Sequence, residues 1–229
     1  MNIPLMILVP ARGGSKRLPN KNLRELGGCS LIKRVADVVN RSGIDAPIIL
    51  STDSKLIAEE GLKEGMQVPF FRPENISEDK SPTIDVVIHA LDWFKNKNGH
   101  DPDKVMLLQP TSPFRSKKML IEALECLKSR EDIESVISMS AMEISSSEIY
   151  NLSMSGHAVK ICEKDSKPFY IPNGAIYLTR TKALRREHSL FAEPIHPLVT
   201  DPLRSIDIDT SYDWKMAELL ESYLENNPE

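Results

Sequence analysis

The sequence predicts an α/β fold with a mostly parallel central sheet. Short apolar runs, such as 3–9, 48–50 and 105–108, alternate with longer amphipathic segments, which is the pattern of βαβ units. Several of these runs end in polar or charged residues, where parallel strands would deliver side chains to one edge of the sheet. The 229 residues, 41% of them hydrophobic, suffice for one α/β domain with a full core.

The first half of the chain is predicted to contain four strands and four helices. In chain order, the segments are strand 3–9, helix 31–39, strand 48–53, helix 55–64, strand 68–71, helix 83–96, strand 105–108 and helix 117–127. Ser30, Ser54 and Ser116 are candidate N-caps, because a serine oxygen can accept a hydrogen bond from a free N–H group of the first turn. Gly65 is the expected end of the second helix.

The second half is predicted to be less regular. Residues 134–162 contain strand fragments around a serine-rich loop, which suggests an antiparallel excursion from the main sheet. The run 173–178 predicts a core strand, 205–210 a last strand tip, and 212–224 a closing helix.

Composition argues against several classes of protein. The net charge of −4 disfavours a nucleic-acid partner, and no apolar run is long enough to span a membrane. The N-terminus enters the first strand without the features of a signal peptide. Cys29, Cys126 and Cys162 lack metal-ligand spacing, and their odd number is typical of reduced thiols, so we expect a cytoplasmic protein.

The most informative motif is the loop 10–22, which follows the first predicted strand. It contains two glycines, a serine and four cations, namely Arg12, Lys16, Arg17 and Lys21. Glycines allow a close backbone approach, and successive N–H groups can form an anion-binding nest. The loop lacks the Walker A and dinucleotide-binding patterns. It therefore predicts a polyphosphate site, with a solvated basic turn as the alternative.

Two carboxylates, Asp207 and Asp209, are spaced to lie on one face of an extended segment. Such a pair suits Mg²⁺, which usually takes one or two protein carboxylates together with substrate phosphates. The alternative is that Asp209 or Thr210 only caps the closing helix. No nucleophile set of the Ser/His/Asp or Cys/His type is visible in the sequence.

Three further polar segments have two interpretations each. The strand tip 109–115 offers uncharged hydrogen-bonding groups between prolines, which suits a polyhydroxy ligand, or is simply a proline-shaped loop. Asn173 before Gly174 is either a turn residue or an amide that faces a ligand. Arg72 before Pro73 is either a surface charge or a contact to a base or a phosphate.

In their order and spacing, these motifs resemble the N-acylneuraminate cytidylyltransferase family, the CMP-sialic acid synthetases. The resemblance covers nearly the whole chain and rests on segments 10–16, 21–22, 51–53, 108–115, 173–177 and 205–210. It implies a three-layer nucleotidyltransferase fold, Rossmann-like and similar to glycosyltransferase-A. It also implies that the anomeric hydroxyl of a nine-carbon 2-keto sugar acid attacks CTP with Mg²⁺ as cofactor, giving CMP-sugar and pyrophosphate.

The resemblance also implies residue roles. The residues expected to bind CTP are Ala11, Arg12, Gly13, Ser15, Lys16, Lys21, Asn22, Arg72, Ser81 and Thr83. The sugar is expected to contact Gln109, Thr111, Ser112 and Asn173. Asp207 and Asp209 would bind the metal, and the expected catalytic residues are Arg12, Lys16, Lys21 and Asp209.

The resemblance further implies a homodimer with a shared active site. The chain would form a single cytidylyltransferase domain, 1–229, in which 131–170 is a small dimerisation and substrate lobe. Segment 160–172 lacks the arginine that family members commonly carry before the Asn-Gly strand. The sugar therefore stays open between N-acetylneuraminate and a legionaminic-type analogue. The alternatives are activation of the eight-carbon acid Kdo, favoured by residues 16–19, and a non-catalytic nucleotide-binding module.

Overall fold

A computed structural model describes residues 4–142, 149–154, 156–160 and 169–226, except for the side chain of Glu225. The elements in chain order are β1 (Leu5–Pro10), β2 (Glu25–Leu26), β3 (Cys29–Ser30), α1 (Leu31–Ser42), β4 (Ile48–Ser51), α2 (Lys55–Lys63), α3 (Thr83–Asn98), β5 (Lys104–Leu107), α4 (Lys117–Ser129), β6 (Ser135–Met142), β7 (Tyr150–Leu152), β8 (Ala158–Lys160), β9 (Phe169–Arg180), α5 (Thr181–Glu187), β10 (Ile195–Val199) and α6 (Ser211–Asn226). Short 3₁₀ helices cover Lys21–Leu23, Glu74–Ile76 and Pro202–Arg204.

The central sheet has six strands in the order β10-β6-β9-β5-β1-β4. Strand β9 pairs antiparallel with both of its neighbours, and every other pairing in the sheet is parallel. The predicted mostly parallel α/β sheet is therefore confirmed. Parallel pairing brings the carboxyl ends of β1, β4 and β5 to the same edge, where ligands bind in folds of this kind.

Helices cover both faces of this sheet because side chains alternate along each strand. Ile7 and Val9 of β1 pack in a core with α1 and α4, whereas Met6 and Leu8 pack in a second core with α3. This arrangement gives the expected three layers.

A third, smaller core holds α6 beside the loop that follows β1. Leu18 of that loop packs in one cluster with Ile208 and with Trp214 of α6. Ile208 and Trp214 are almost completely buried. Because Ile208 lies between Asp207 and Asp209, this small core places both carboxylates next to the basic loop.

The predicted helix caps are present. The hydroxyl oxygens of Ser30, Ser54 and Ser116 accept hydrogen bonds from the backbone N–H groups of Lys33, Ile57 and Met119, at 3.0, 3.5 and 3.3 Å. Gly65 follows the end of α2 with a φ of +81°, a left-handed conformation that favours glycine. Local sequence signals therefore positioned these helix ends correctly.

Two predicted strands are absent from the structure. Segment 68–71 makes only one isolated bridge, between Phe71 and Thr52, and Gln67 just before it makes another with Ile49. Segment 205–210 has no strand pairing, and one hydrogen bond from the backbone N–H of Ile208 to the carbonyl of Thr111, 2.8 Å long, ties it to the sheet edge. In the second segment, Ile208 is an apolar residue that packs in the third core, and its apolar character made the segment resemble a strand in the sequence.

The region 134–162 is divided between two sheets. The expected excursion is wrong for 135–142, because β6 lies within the central sheet between β9 and β10. Strands β7 and β8 form a separate antiparallel pair. Residues 143–148 and 161–168, including Cys162, lie outside the described residues. Across the described parts of the chain, no helix has the length and apolar character needed to cross a bilayer.

Candidate active site

A cavity of about 310 Å³ opens at the carboxyl ends of the parallel strands. Most residues that the sequence selected from distant segments line this one cavity: Arg12, Ser15, Lys16, Lys21, Asn22, Arg72, Ser81, Thr83, Gln109, Thr111, Asp207 and Asp209. Arg17, the fourth cation of the predicted polyphosphate loop, also lines it, and so does Asp79, which the sequence did not single out. The tertiary structure thus joins the basic loop, the polar strand tip and the acidic pair in a single site.

The basic loop is held against the sheet by residues that were expected to bind CTP. The backbone N–H of Ala11 donates to the carbonyl of Ser51 at 3.0 Å, and the side chain of Asn22 donates to the carbonyl of Arg12 at 3.1 Å. Ala11 is buried and does not line the cavity, and Asn22 is also largely buried. Both residues therefore support the loop, and Asn22 still borders the cavity.

Gly13 is fixed by close contact with the start of α2. Its backbone N–H donates to a carboxylate oxygen of Asp53 at 2.7 Å. A Cβ atom at this position would lie only 2.9 Å from the Cβ of Ser54, closer than side-chain carbons approach. In this conformation the N–H group of Gly13 is engaged by Asp53, and Gly13 does not line the cavity.

All four cations of the loop are paired with carboxylates. Arg12 contacts Asp79 at 2.5 Å, and Lys16 pairs with the same carboxylate. On the other side of the cavity, Arg17 and Lys21 contact Asp209 at 2.7 and 2.9 Å. The sequence showed the cations but not their partners, because Asp79 lies more than 60 positions away in a segment that reads as an ordinary charged loop.

The two carboxylates of the acidic pair have opposite pKa shifts. Desolvation by surrounding protein raises the pKa of Asp207, against the lowering effect of a hydrogen bond from Thr111. Burial would also raise the pKa of Asp209, but the hydrogen bond and charge of Lys21, together with Arg17, outweigh it and lower that pKa. Asp209 is therefore ionised at neutral pH.

The contacts at the start of α6 show whether Asp209 or Thr210 caps this helix. The Thr210 hydroxyl accepts from the N–H of Asp213 at 3.3 Å, and Asp213 accepts in return from the N–H of Thr210 at 2.7 Å. Thr210 is therefore the cap, whereas the Asp209 side chain faces Lys21 and Arg17.

The acidic pair fits a magnesium ion by its donor chemistry. Asp207 and Asp209 offer hard oxygen ligands beside the cations that would hold phosphates. No cluster of three or more His, Cys, Asp or Glu side chains suited to a metal occurs among the described residues. Mg²⁺ commonly takes only one or two protein carboxylates and completes its shell with substrate phosphates and water, so two carboxylates suffice.

Arg72 lies deep in the floor of the site. Its guanidinium group donates to the hydroxyl and the carbonyl of Ser51, at 3.1 and 2.5 Å. Burial lowers its pKa to about 10, which leaves the side chain charged at neutral pH. The surface-charge interpretation of Arg72 is therefore wrong, because the residue is 7% exposed and borders the cavity.

The polar strand tip is divided between the cavity and the protein interior. Gln109 and Thr111 line the cavity, whereas Ser112 is buried and its hydroxyl donates to the carbonyl of Asn173 at 3.2 Å. The side chain of Asn173 is also buried within a network of protein hydroxyls. The structure thus places Ser112 and Asn173 behind the cavity wall and not on its surface.

A buried arginine holds this wall in place. Arg115 donates from Nε to the carbonyl of Ala175 at 2.9 Å and from Nη2 to the carbonyl of Gln109. Burial lowers its pKa to about 9. By linking the end of β5 to β9, Arg115 orients the strand tip that presents Gln109. Its presence in the motif was visible in the sequence, but its inward direction was not.

A three-layer α/β sandwich whose strand ends combine a basic loop with an acidic pair defines a protein of the nucleotidyltransferase class. The family model described as Cytidylyltransferase matches residues 6–226, and the chain belongs to this family of enzymes. The resemblance seen in the sequence is therefore confirmed at the level of the family.

Two relatives illustrate the similarity. The chain is 36% identical over 226 residues to CMP-N,N'-diacetyllegionaminic acid synthase of Legionella pneumophila, covering 94% of this chain and 95% of that protein. It is 33% identical over 216 residues to N-acylneuraminate cytidylyltransferase of Streptococcus agalactiae, covering 90% of this chain but only 51% of that longer protein.

Solved structures show the same fold at low sequence identity. CMP:2-keto-3-deoxy-manno-octonic acid synthetase in complex with CTP superimposes with a TM-score of 0.69 at 16% identity, covering 96% of this chain and 98% of that one. The 4-diphosphocytidyl-2C-methyl-D-erythritol synthase of Anaerococcus prevotii gives a TM-score of 0.67 at 18% identity, covering 96% of each chain.

Proposed function

We propose that this enzyme transfers a cytidylyl group from CTP to a nine-carbon 2-keto sugar acid and releases pyrophosphate. The observation that carries the proposal is the single cavity in which the basic loop, the polar strand tip and the acidic pair meet. Family membership supports the cytidylyl donor, and the names of the relatives at 36% and 33% identity support a nonulosonic acid as acceptor.

The nucleotide half of the site is proposed to use both ends of the cavity. Arg12, Lys16 and Lys21, with Ser15 between them, would bind the triphosphate, because they present donors and positive charge to one space. The cytidine would contact the remaining nucleotide residues, namely Asn22, Arg72, Ser81 and Thr83, all of which line the same cavity. Ala11 and Gly13 would act by shaping the loop.

In the proposed reaction, the anomeric hydroxyl of the sugar acid attacks the α-phosphorus of CTP. Transfer of this kind depends mainly on positioning and on neutralising charge. Lys21, whose side chain is only 12% exposed, would stabilise negative charge that develops on the phosphate chain. Mg²⁺ held by Asp207 and Asp209 would neutralise further phosphate charge. Asp209, whose carboxylate lines the cavity, is the proposed acceptor of the hydroxyl proton.

For the acceptor, Gln109 and Thr111 are the proposed sugar contacts, because both line the cavity beside the acidic pair. We favour an N,N'-diacetyllegionaminic-type acid over N-acetylneuraminate. The relative named for the legionaminic acid is 36% identical and matches this chain over nearly its full length.

The active enzyme is proposed to be a cytoplasmic homodimer whose partner subunit borders the sugar site. The exposed apolar side chains of the separate β7–β8 sheet, Tyr150, Leu152 and Val159, support an interface in that region. Light scattering should give about twice the chain mass of 25.8 kDa. A monomer under assay conditions would exclude the shared site.

The reaction is tested by incubating the protein with CTP, Mg²⁺ and one sugar acid at a time. Mass spectrometry identifies the CMP-sugar, and released pyrophosphate gives the rate. We expect turnover with the nonulosonic acids, none without a divalent cation, and loss of turnover in Asp209→Ala. The matched control Asp45→Ala removes an exposed carboxylate from a distant loop and should behave as wild type.

Two results would contradict the proposal. Turnover with Kdo alone would favour the eight-carbon acceptor, and CTP binding without turnover of any acid would favour a non-catalytic module. Near-normal turnover of Asp209→Ala would remove that residue from the mechanism.

A further inference from the structure

Asp79 engages the two cations at the outer side of the basic loop. One carboxylate oxygen lies 2.5 Å from Arg12 Nη1, and the other pairs with Lys16 Nζ. The Asp79 side chain is 34% exposed, so water can reach it and its ion pairs can be exchanged. The hydrogen bonds from Lys16 and Arg12 also lower the pKa of Asp79, which keeps it ionised.

The segment that carries Asp79 is folded so that this carboxylate faces the loop. The Ser77 hydroxyl donates to the carbonyl of Pro73 at 2.8 Å. The Ser81 hydroxyl accepts from the N–H of Glu78 at 3.1 Å and donates to the carbonyl of Asn75 at 3.3 Å. Asp79 is therefore presented by a segment with its own internal hydrogen bonds.

These ion pairs also separate two spaces. Arg12, Lys16 and Asp79 line the cavity of the active site, and the same three residues line a second cavity of about 440 Å³ on the other side. The contact between Asp79 and the cations thus forms a wall of the active site that would open if Asp79 moved. Ser81, a proposed nucleotide contact, lies two positions further along the same segment.

We propose that Asp79 is a specificity-determining residue that weakens the binding of ligands with a phosphate chain, because it competes with the β- and γ-phosphates for Arg12 and Lys16. This inference rests on the proposed function, which assigns these cations to the triphosphate of CTP. An incoming phosphate chain brings several negative charges to the cations that Asp79 already pairs with, so the two anions repel each other and compete for Arg12 and Lys16.

The exchange lowers the affinity for a polyphosphate and leaves the affinity for a single phosphate unchanged. While Asp79 is bound, it neutralises one of the two positive charges and contacts one nitrogen of each side chain. A pyrophosphate group offers several anionic oxygens to these two cations and so competes with Asp79. The single phosphate of CMP would lie at the α-phosphate position instead and would not compete. When pyrophosphate leaves, Asp79 can return to the cations and so assist release of the product.

The test compares the binding of three ligands by titration calorimetry in Mg²⁺ buffer: CTP, pyrophosphate and CMP. The variant Asp79→Asn removes the competing charge at nearly constant shape. The matched control Glu74→Gln removes a charge from an exposed residue of the same segment that does not line either cavity. We expect Asp79→Asn to bind CTP and pyrophosphate about three- to tenfold more tightly, the scale of one or two exposed ion pairs.

CMP affinity should be the same in wild type and Asp79→Asn, which also shows that the variant retains a folded nucleotide site. Unchanged or weaker pyrophosphate binding in Asp79→Asn would overturn the inference, and so would an equal gain for CMP. The proposed function fails separately if wild type binds no CTP. In that case, tighter pyrophosphate binding by the variant would still support the competition at Arg12 and Lys16.

Discussion

Asn173 lies at the centre of a buried polar network that joins three parts of the fold behind the active site. Its side-chain oxygen accepts from the Ser138 hydroxyl at 2.7 Å and from the N–H of Ala175 at 3.3 Å. The acceptors around its amide nitrogen are the hydroxyl oxygens of Ser140, Thr200 and Ser205, at 3.1, 2.7 and 3.2 Å. The residue is 8% exposed.

The substitution Asn173→Ala removes the centre of this network and leaves its partners inside the protein. A neutral hydrogen bond contributes about 1 kcal/mol net, and an unsatisfied buried group costs about 1–3 kcal/mol. The loss is smaller than a simple sum, because Thr200 and Ser205 hydrogen-bond each other and the Ser138 hydroxyl can donate to the carbonyl of Ile176 in place of Asn173. We therefore expect the free energy of unfolding to fall by about 2–4 kcal/mol.

Urea unfolding measures this change, and steady-state kinetics with the sugar acid separates it from a ligand contact. The exposed Asn40→Ala on α1 is the matched control and should change stability by less than about 0.5 kcal/mol. If Asn173→Ala is as stable as wild type and only its KM for the sugar rises, the structural role is refuted. Asn173 would then be the direct sugar contact that the sequence suggested.

Two further predictions concern the two sides of the acidic pair. Lys21→Met should lower kcat/KM about 10²- to 10³-fold, the scale of one lost charge-stabilising contact. The control is Lys118→Met, which changes an exposed lysine. An unchanged kcat/KM in Lys21→Met would favour the alternative that the loop is only a solvated basic turn. Asp213→Asn should lower the unfolding free energy by about 1 kcal/mol at pH 7 through the cap of α6. Burial would raise the pKa of Asp213, but hydrogen bonds from Thr210 and Asp209 outweigh it and lower that pKa. The cap therefore stabilises the fold at pH values above the ordinary carboxyl pKa. This stabilisation is lost as the pH falls through the lowered pKa of folded Asp213. Urea unfolding at pH 7 and pH 3 should show the variant's deficit shrinking at low pH, and a constant deficit would contradict this origin.

Sequence reasoning succeeded where the signal was local. Helix ends at Ser30, Ser54 and Ser116 follow from a serine next to an apolar periodic segment, and each cap is present. It failed at 205–210, where the apolar Ile208 resembled part of a strand but serves to pack in a small core. The prediction that distant motifs form one site depended on parallel strands ending at the same edge, which the sheet order confirms.

The sequence by itself determined the class of fold, the position of the basic loop and the acidic pair, and the family. These features depend on periodicity, turn residues and motif order, all of which lie along the chain. Only the tertiary structure decided that Asp79 pairs with Arg12 and Lys16, that Asp209 pairs with Lys21, and that Asn173 faces inward. Pairing and burial depend on which distant segments meet in space, and residue type alone does not specify a charge's partner.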